Sequence, residues 1–505
     1  MIGRSRAIVL AGLHGHVVDV EAHIGSSLPA FTIVGLPDAS LAEARDRVRA
    51  AVASSGLAWP QRRITVNLSP ASLPKRGSAT DLAIAIAVLA AAGMIDPARA
   101  AAWAHVGELG LDGRVRPVAG VLPAVAAAVD AGLTSVAVPW ANAAEARLVP
   151  GSDVRAVASL AELARDYGSA DAVAAASDPV PAPARPAVTA TRADLSDVRG
   201  QAEARWALEV AAAGGHHLLM TGPPGAGKTM LACRLPGVLP PLDDADAVAA
   251  TSIHSLAGSL DVSGGLMRRA PFESPHHSAS AAAIVGGGSG LARPGAISRA
   301  HAGVLFLDEA PEFPARVLQT LRQPLESGEI VLHRSSGATR YPARFQLVLA
   351  ANPCPCGHFY GDGQRCTCTP QVRRRYFGRL SGPLLDRVDI QVDVHPVRRG
   401  ADEPGEPSAA VAARVAEARG RARARLAPHG WTLNAQASGT WLRRHTPPGA
   451  VRPVWRALDT GVLSARGADR ALRLAWTLAD LRAAAEPGED DVAQAMTLRS
   501  KGSAA

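Results

Sequence analysis

Apolar residues along this chain follow three successive rhythms. Up to about residue 165, short runs of strand character (AIVLAGL, HVVDVEAHI, FTIVGLP, RRITVNL) alternate with helix-like stretches. Residues 41–54 carry alternating charges around EARDRVRAAV, while residues 81–93 and 121–131 read as apolar helices. This mixture predicts a compact α/β or α+β domain over residues 1–170. Residues 177–191, SDPVPAPARPAVTAT, break the pattern. Proline and alanine without a period make an extended, semi-rigid linker, placed within 171–193. Residues 194–398 carry all-apolar runs such as VLFL and LVLAA, the pattern of parallel strands buried on both faces. A second loop, DEPGEPS, follows at 402–408, and residues 399–505 are helical with arginines scattered through them. No fixed-period repeat is visible.

Composition narrows the class. A chain of 505 residues exceeds one ordinary core, so two to four domains are expected. Aromatics are only 4% while alanine and arginine abound, so an alanine-rich helix carries little information by itself. The net charge of +8 permits a polyanionic partner without establishing one. The N-terminal MIGRSRAIVLAGLHGH lacks a sustained apolar core, and the apolar stretch 82–95 is too short to span a bilayer. The expectation is a cytoplasmic protein with no membrane partner. Five cysteines, four of them clustered, do not form a secreted disulfide framework.

The chemistry concentrates in the middle of the chain. Residues 222–229 read GPPGAGKT directly after an apolar run. Gly222, Pro223, Pro224, Gly225, Ala226, Gly227, Lys228 and Thr229 fit a phosphate cradle between a strand and a helix. Glycines let backbone N–H groups face an anion, and the helix adds the positive end of its dipole. Lys228 would reach the β- and γ-phosphates of ATP or GTP, and Thr229 would hold Mg²⁺. At GVLFLDE, Asp308 would hold the same Mg²⁺ and Glu309 would orient the attacking water; the alternative is a solvated strand cap. Asn352 ends a third apolar run, where an amide can touch the γ-phosphate or simply serve a turn. Arg387, in SGPLLDRVDI, is the candidate arginine finger acting in trans, against a surface pair with Asp386. Arg466 opens a C-terminal helix and is read either as reaching back over the nucleotide or as an exposed helical arginine.

Long ordered matches carry a resemblance: PHHSAS, GVLFLDEAPEF, LRQPLESGEI, ANPCPCG, SGPLLDRVDI and LSARGADR. Residues 200–500 resemble the Mg-chelatase-like branch of AAA+ ATPases, and more narrowly the ComM (YifB) family. FTIVGLPDASLAEARDRVRAAV and RRITVNLSPASLPKRGSATDLAIAIAVL extend the resemblance over nearly the whole chain. It implies a multidomain α/β protein with an AAA+ parallel-sheet core and a C-terminal helical lid. It assigns Lys228, Asp308, Glu309, Asn352, Arg387 and Arg466 the roles above. Glu273 departs from it, standing where a basic residue is expected. PKRGSATDLAIA and GELGLDGRVRPVAGVLPAVAAA make the N-terminal domain similar to the Lon-type proteolytic domain, an S5-like fold. Its serine position falls on Ala79 and its lysine position on Leu122, so a dead protease is expected, with Ser78 and Lys75 off register.

Cys354, Cys356, Cys366 and Cys368 form C-x-C-x9-C-x-C. Four thiolates in fifteen residues suggest tetrahedral Zn²⁺, against free thiols or redox disulfides. QVRRRYFGR follows at once and reads either as a phosphate grip with base-stacking Tyr376 and Phe377 or as a solvated basic turn. Arginines 414, 419, 421, 423 and 425 make a basic helix, a DNA-facing or merely solvated face. Adjacent His276 and His277 are expected to face different ways in loop or pore contacts. His216 and His217 are expected to pack or cap the strand, and Cys233 to pack in the core. The functional expectation is an ATP-hydrolysing ring, a hexameric homo-oligomer acting on single-stranded or branched DNA as a helicase or branch-migration factor in recombination. A magnesium-chelatase-type ATPase subunit is the alternative; a protease and a non-hydrolysing scaffold are disfavoured.

Overall fold

The computed structural model describes residues 2–35, 43–73, 75, 77–173, 178–181, 193–288, 292–334, 337–361, 363–380, 382–396 and 405–500. Most of the 171–193 linker, the start of the 402–408 loop, the 41–42 helix start and Ser381 of SGPLLDRVDI lie outside the described residues.

The N-terminal segment forms a seven-stranded mixed sheet. Ile2–Ala11 and His14–Ile24 make a long antiparallel hairpin because Gly12 supplies the positive φ its turn needs. Helix Asp81–Ala91 is buried along its whole length beneath this hairpin. Its uniformly apolar sequence, without an outward polar stripe, requires that position. Gly3 lets the helix approach: a Cβ there would meet the Ala91 nitrogen at 2.2 Å. The domain rests on the next through helix Asp244–Ala257, where Gly120 N–H donates to the Ser255 carbonyl (3.3 Å) and Ser255 Oγ donates to buried Glu145.

The second unit is built on a five-stranded all-parallel sheet. The strand order is Phe272–Glu273, Val304–Leu307, Gln346–Ala351, Leu218–Thr221, Ile390–Asp393. Of the three interior strands, Val304–Leu307 and Gln346–Ala351 are buried throughout, as their unbroken apolar runs predict. The C-terminal helices share one continuous core with the sheet: Trp476, Leu478 and Val492 pack in the same cluster as Val348 and Ile390. This AAA+-like α/β architecture with a helical C-terminus puts every strand's carboxyl end on one edge, where parallel sheets bind ligands. Among the described residues, no helix is long and apolar enough to cross a membrane.

Candidate nucleotide site

Three strand ends converge. The loop 222–227 leaves Leu218–Thr221, Asp308 and Glu309 follow Val304–Leu307, and Asn352 follows Gln346–Ala351. Register aligns Thr221 with Ala351 and Leu307 with Leu349, so the three chemistries share one edge. Gly225 (φ +76°) and Gly227 (φ +96°) turn the loop through the left-handed region. At Gly222 the constraint is space: a Cβ would sit 2.2 Å from the Val394 carbonyl oxygen.

Lys228 is buried, and its ammonium donates to the Gly222 carbonyl (2.6 Å), the Pro223 carbonyl (3.0 Å) and Asn352 Oδ1 (3.1 Å). Burial pulls its pKa below the ordinary lysine value, and the nearby Asp308 and Glu309 carboxylates oppose that pull. Thr229 Oγ1 donates to Asp308 Oδ2 at 2.6 Å. A hydroxyl and a carboxylate oxygen this close are a hard-oxygen pair suited to Mg²⁺. Glu309 sits at φ +50°, unusual for a side-chain-bearing residue, and its N–H donates to Asp308 Oδ1 (2.9 Å). Strain of this kind costs about 1–3 kcal/mol and persists only where the surroundings enforce it.

Two residues join the site that sequence spacing did not single out for it. His277 Nδ1 lies 3.3 Å from Glu309 Oε2, and its ring meets His276 with centroids 4.1 Å apart. The two histidines therefore do not face different ways: the turn after Phe272–Glu273 brings both rings together, edge-on to Phe313 in the case of His277. Gln201, also at positive φ (+53°), donates from Nε2 to the Ala226 carbonyl (3.1 Å) and to the His395 carbonyl, strapping the loop from behind. Only its place directly after Gly200, opening a helix, could have signalled it. Glu273 is explained locally: it takes two hydrogen bonds from Arg299 (3.0 and 2.8 Å), so it contacts a cation of its own chain.

Arg387 and Arg466 lie elsewhere. Arg387 precedes strand Ile390–Asp393 and so stands at the amino edge of the sheet, opposite the loop. It pairs with Glu326, and burial, then Arg466, Arg470 and Arg322, hold its pKa below the ordinary arginine value. Arg466 thus belongs to the same cationic cluster and does not reach over its own chain's loop. Its helix, Ala465–Leu481, is anchored at that edge by Arg470 to Asp389 (2.8 Å) and by Thr477 to His216 (2.8 Å). His216 and His217 pack the strand start as expected, His217 Nδ1 accepting from Leu347 N–H (3.0 Å). Cys233 is half-buried beside the loop helix, its thiol pKa raised by burial.

The four clustered cysteines do converge, with all sulfurs within 4.8 Å of one another. The basic segment behind them is helix Pro370–Gly378, and base stacking is not available to its aromatics. Tyr376 is buried and Phe377 packs inward, edge to face with it at 5.7 Å. Arg374 and Arg375 remain exposed. The exposed face of the longer basic helix, Ser408–Leu426, is lined mainly by alanines, and most of its arginines engage groups of their own chain. Arg414 forks onto Glu209 and Glu406, Arg419 donates to the Ala212 carbonyl, and Arg425 grips Asp480; Arg423 alone of the five is exposed. In the N-terminal domain, Ala79 precedes the buried helix and Leu122 is buried. Lys75 donates to the Pro70 carbonyl and Ser78 to Glu108, so neither engages the other.

Comparison with known proteins agrees with this architecture. Residues 194–401 match the family described as magnesium chelatase, subunit ChlI; residues 20–142 match subunit ChlI of Mg-chelatase, and 405–499 its C-terminal part. An uncharacterized protein of Mycobacterium tuberculosis is 53% identical over 99% of each chain. Protein YifB of Escherichia coli is 42% identical, over 93% of this chain and 91% of its own. Competence protein ComM of Haemophilus influenzae is 39% identical over 97% of this chain and 95% of its own. The magnesium-chelatase 38 kDa subunit of Rhodobacter capsulatus is 32% identical over 23% of this chain. On these full-length similarities and the nucleotide-site architecture, the chain belongs to the ComM/YifB family of magnesium-chelatase-like AAA+ ATPases.

Proposed function

We propose that this protein is one subunit of a ring-shaped ATP-driven motor on DNA, a helicase or branch-migration factor serving recombination of incoming DNA. The observation that carries the ring is the separation of Arg387 from the loop of its own chain. A finger at the amino edge of the sheet serves a nucleotide on a neighbouring subunit, and a closed ring, with six subunits as the family expectation, repeats that contact.

The residues divide the work of hydrolysis. Lys228 leaves the Gly222 and Pro223 carbonyls for the β- and γ-phosphates, keeping Asn352 beside the γ-phosphate. Thr229 and Asp308 would hold Mg²⁺, which would supply charge neutralisation on the phosphates. Glu309 orients the attacking water and takes up its proton, with His277 fixing the carboxylate. Arg387 and Arg466 of the neighbouring subunit meet the charge developing on the leaving phosphates.

The DNA half of the reading rests on the net charge of +8, on exposed Arg374 and Arg375 beside the cysteine cluster, and on likeness to a protein named for competence. The magnesium-chelatase 38 kDa subunit of Rhodobacter capsulatus itself aligns with only 23% of this chain. The Lon-like character of the N-terminal domain belongs to the same proposal, as an inactive module stacked on the ATPase through helix Asp244–Ala257. The test is ATP hydrolysis with and without single-stranded and branched DNA at about 50 and 200 mM salt. Stimulation by DNA, weaker at the higher salt and absent in Glu309→Gln, is expected. No DNA binding at the lower salt would sink the motor reading, and stimulation only by a porphyrin-metallating partner would replace it.

A further inference from the structure

Four sulfurs at the end of the Asn352 strand have the geometry of a coordination shell. Cys354 Sγ lies 3.3 Å from Cys356 Sγ and 3.7 Å from Cys366 Sγ, and the latter two are 3.8 Å apart. Cys368 completes the group within 4.8 Å of all three. A tetrahedral ion with Zn–S bonds of about 2.3 Å places its ligand sulfurs about 3.8 Å apart. These separations are far longer than the roughly 2 Å of a disulfide. The tight C-x-C pairs work because the chain doubles back between them: Gly357 (φ +78°) closes a turn onto the Cys354 carbonyl (3.0 Å), and Gly363 (φ +68°) helps return the chain to Cys366. The backbone N–H groups of His358 and Phe359 lie close to the Cys354 sulfur, and those of His358 and Thr367 close to Cys356. Such donors neutralise part of the charge that four thiolates carry, and around metals they orient the ligands.

The knot is tied to both sides. Gly357 approaches the phosphate loop so closely that a Cβ would lie 2.7 Å from Pro224 Cδ. On the other side, Thr369 caps helix Pro370–Gly378, Arg373 donates to the Cys368 carbonyl (3.1 Å), and its guanidinium lies 3.8 Å over the Phe359 ring. The same helix turns Tyr376 back towards the Asn352 backbone.

We infer that Cys354, Cys356, Cys366 and Cys368 bind one structural Zn²⁺, and that this zinc knot rigidly joins the Asn352 and Pro224 side of the nucleotide site to the arginine helix 370–378. The zinc assignment stands on the sulfur geometry alone. Only the reading of the joined edge as a nucleotide site rests on the proposed function. A closed four-sulfur shell leaves no open position, so the ion is structural and takes no part in hydrolysis.

The test uses the full-length chain purified without chelators. Elemental analysis should give close to one zinc per chain, released by a mercurial and captured by a chromogenic chelator. Cys366→Ser and Cys368→Ser should each lower retained zinc at least about tenfold after dialysis against a weak chelator. Should these variants misfold, the wild-type chain serves instead. Zinc-stripped protein should be cut by trypsin at Arg365 and Arg373–Arg375 at least about tenfold faster than zinc-loaded protein, with the N-terminal domain equally resistant in both. Zinc below half an equivalent with four titratable thiols, iron in place of zinc, or unchanged proteolysis of 365–375 on stripping would each overturn the inference. None of these readouts requires ATPase activity or DNA, so failure of the motor reading leaves them unaffected.

Discussion

Mixing two inactive variants distinguishes a nucleotide site shared between subunits from a self-contained one. Lys228→Ala removes the cation lodged between the Gly222 and Pro223 carbonyls and Asn352. Arg387→Ala removes the guanidinium at the opposite edge of the sheet. Thr221 registers with Asp393, and Arg387 comes three residues before Ile390. Four paired residues at a rise of about 3.3 Å separate the two by about 13 Å along the strands. That exceeds what an arginine side chain spans, and Arg387 is already turned towards Glu326. Alone, Arg387→Ala should lower kcat by about 10³-fold. In a ring drawn from equal parts of both variants, a site works when its loop comes from the Arg387→Ala chain and its finger from the Lys228→Ala chain. With independent firing that holds for about a quarter of the interfaces, so the mixture should regain about 25% of wild-type turnover. The assay is phosphate release from rings purified through two different tags, one on each variant. Turnover no higher than either parent, in rings shown to hold both chains, would refute action in trans. Full activity in Arg387→Ala alone would refute its part in hydrolysis.

Three further outcomes follow from contacts inside one chain. His277→Ala frees the Glu309 carboxylate and should lower kcat by up to about 10²-fold while nucleotide affinity is kept; His277→Asn, which retains a donor, should recover most of it in a kcat-against-KM comparison. Arg425→Ala leaves Asp480, with its side chain 1% exposed, without its cation, and should cost about 3–5 kcal/mol in urea unfolding. The double variant Arg425→Met, Asp480→Asn should lose much less, because no buried charge is stranded. His105 is enclosed between Ser5 Oγ and the Tyr167 hydroxyl (both 2.9 Å), and burial pulls its pKa down to about 3. The unfolded chain takes up that proton near pH 6.5 and the folded domain does not, so stability is full above pH 6.5 and falls as the pH drops towards 3. Between pH 7 and pH 5 the loss from this group should be about 2 kcal/mol. His105→Gln should flatten that slope in paired denaturation curves, and an unchanged slope would mean that His105 does not titrate between the states.

What could be read from the sequence was the chemistry held within a few consecutive residues. GPPGAGKT, VLFLDE and LVLAAN each state a strand, its end and its polar group in one string, so the nucleotide edge was visible before any coordinate. Topology was not: that Ile390–Asp393 lies beside the loop strand, and Arg387 therefore at the far edge, depends on pairings more than 150 residues apart in the chain. The same distance hid the true use of the C-terminal arginines. Arg414 finds Glu209 across 205 residues and Arg425 finds Asp480 across 55, and a local charge pattern cannot distinguish such pairs from a solvated or DNA-facing stripe. Tyr376 and Phe377 misled for the opposite reason, since an interleaved aromatic looks like a stacking platform whichever way the helix turns. Removing these internally engaged groups changes the electrostatic argument. On the helix that follows the cysteine knot, the exposed cations are Arg374 and Arg375. A polyanion bound there would load a segment that begins at Asn352 and, through Gly357, packs on Pro224 of the phosphate cradle.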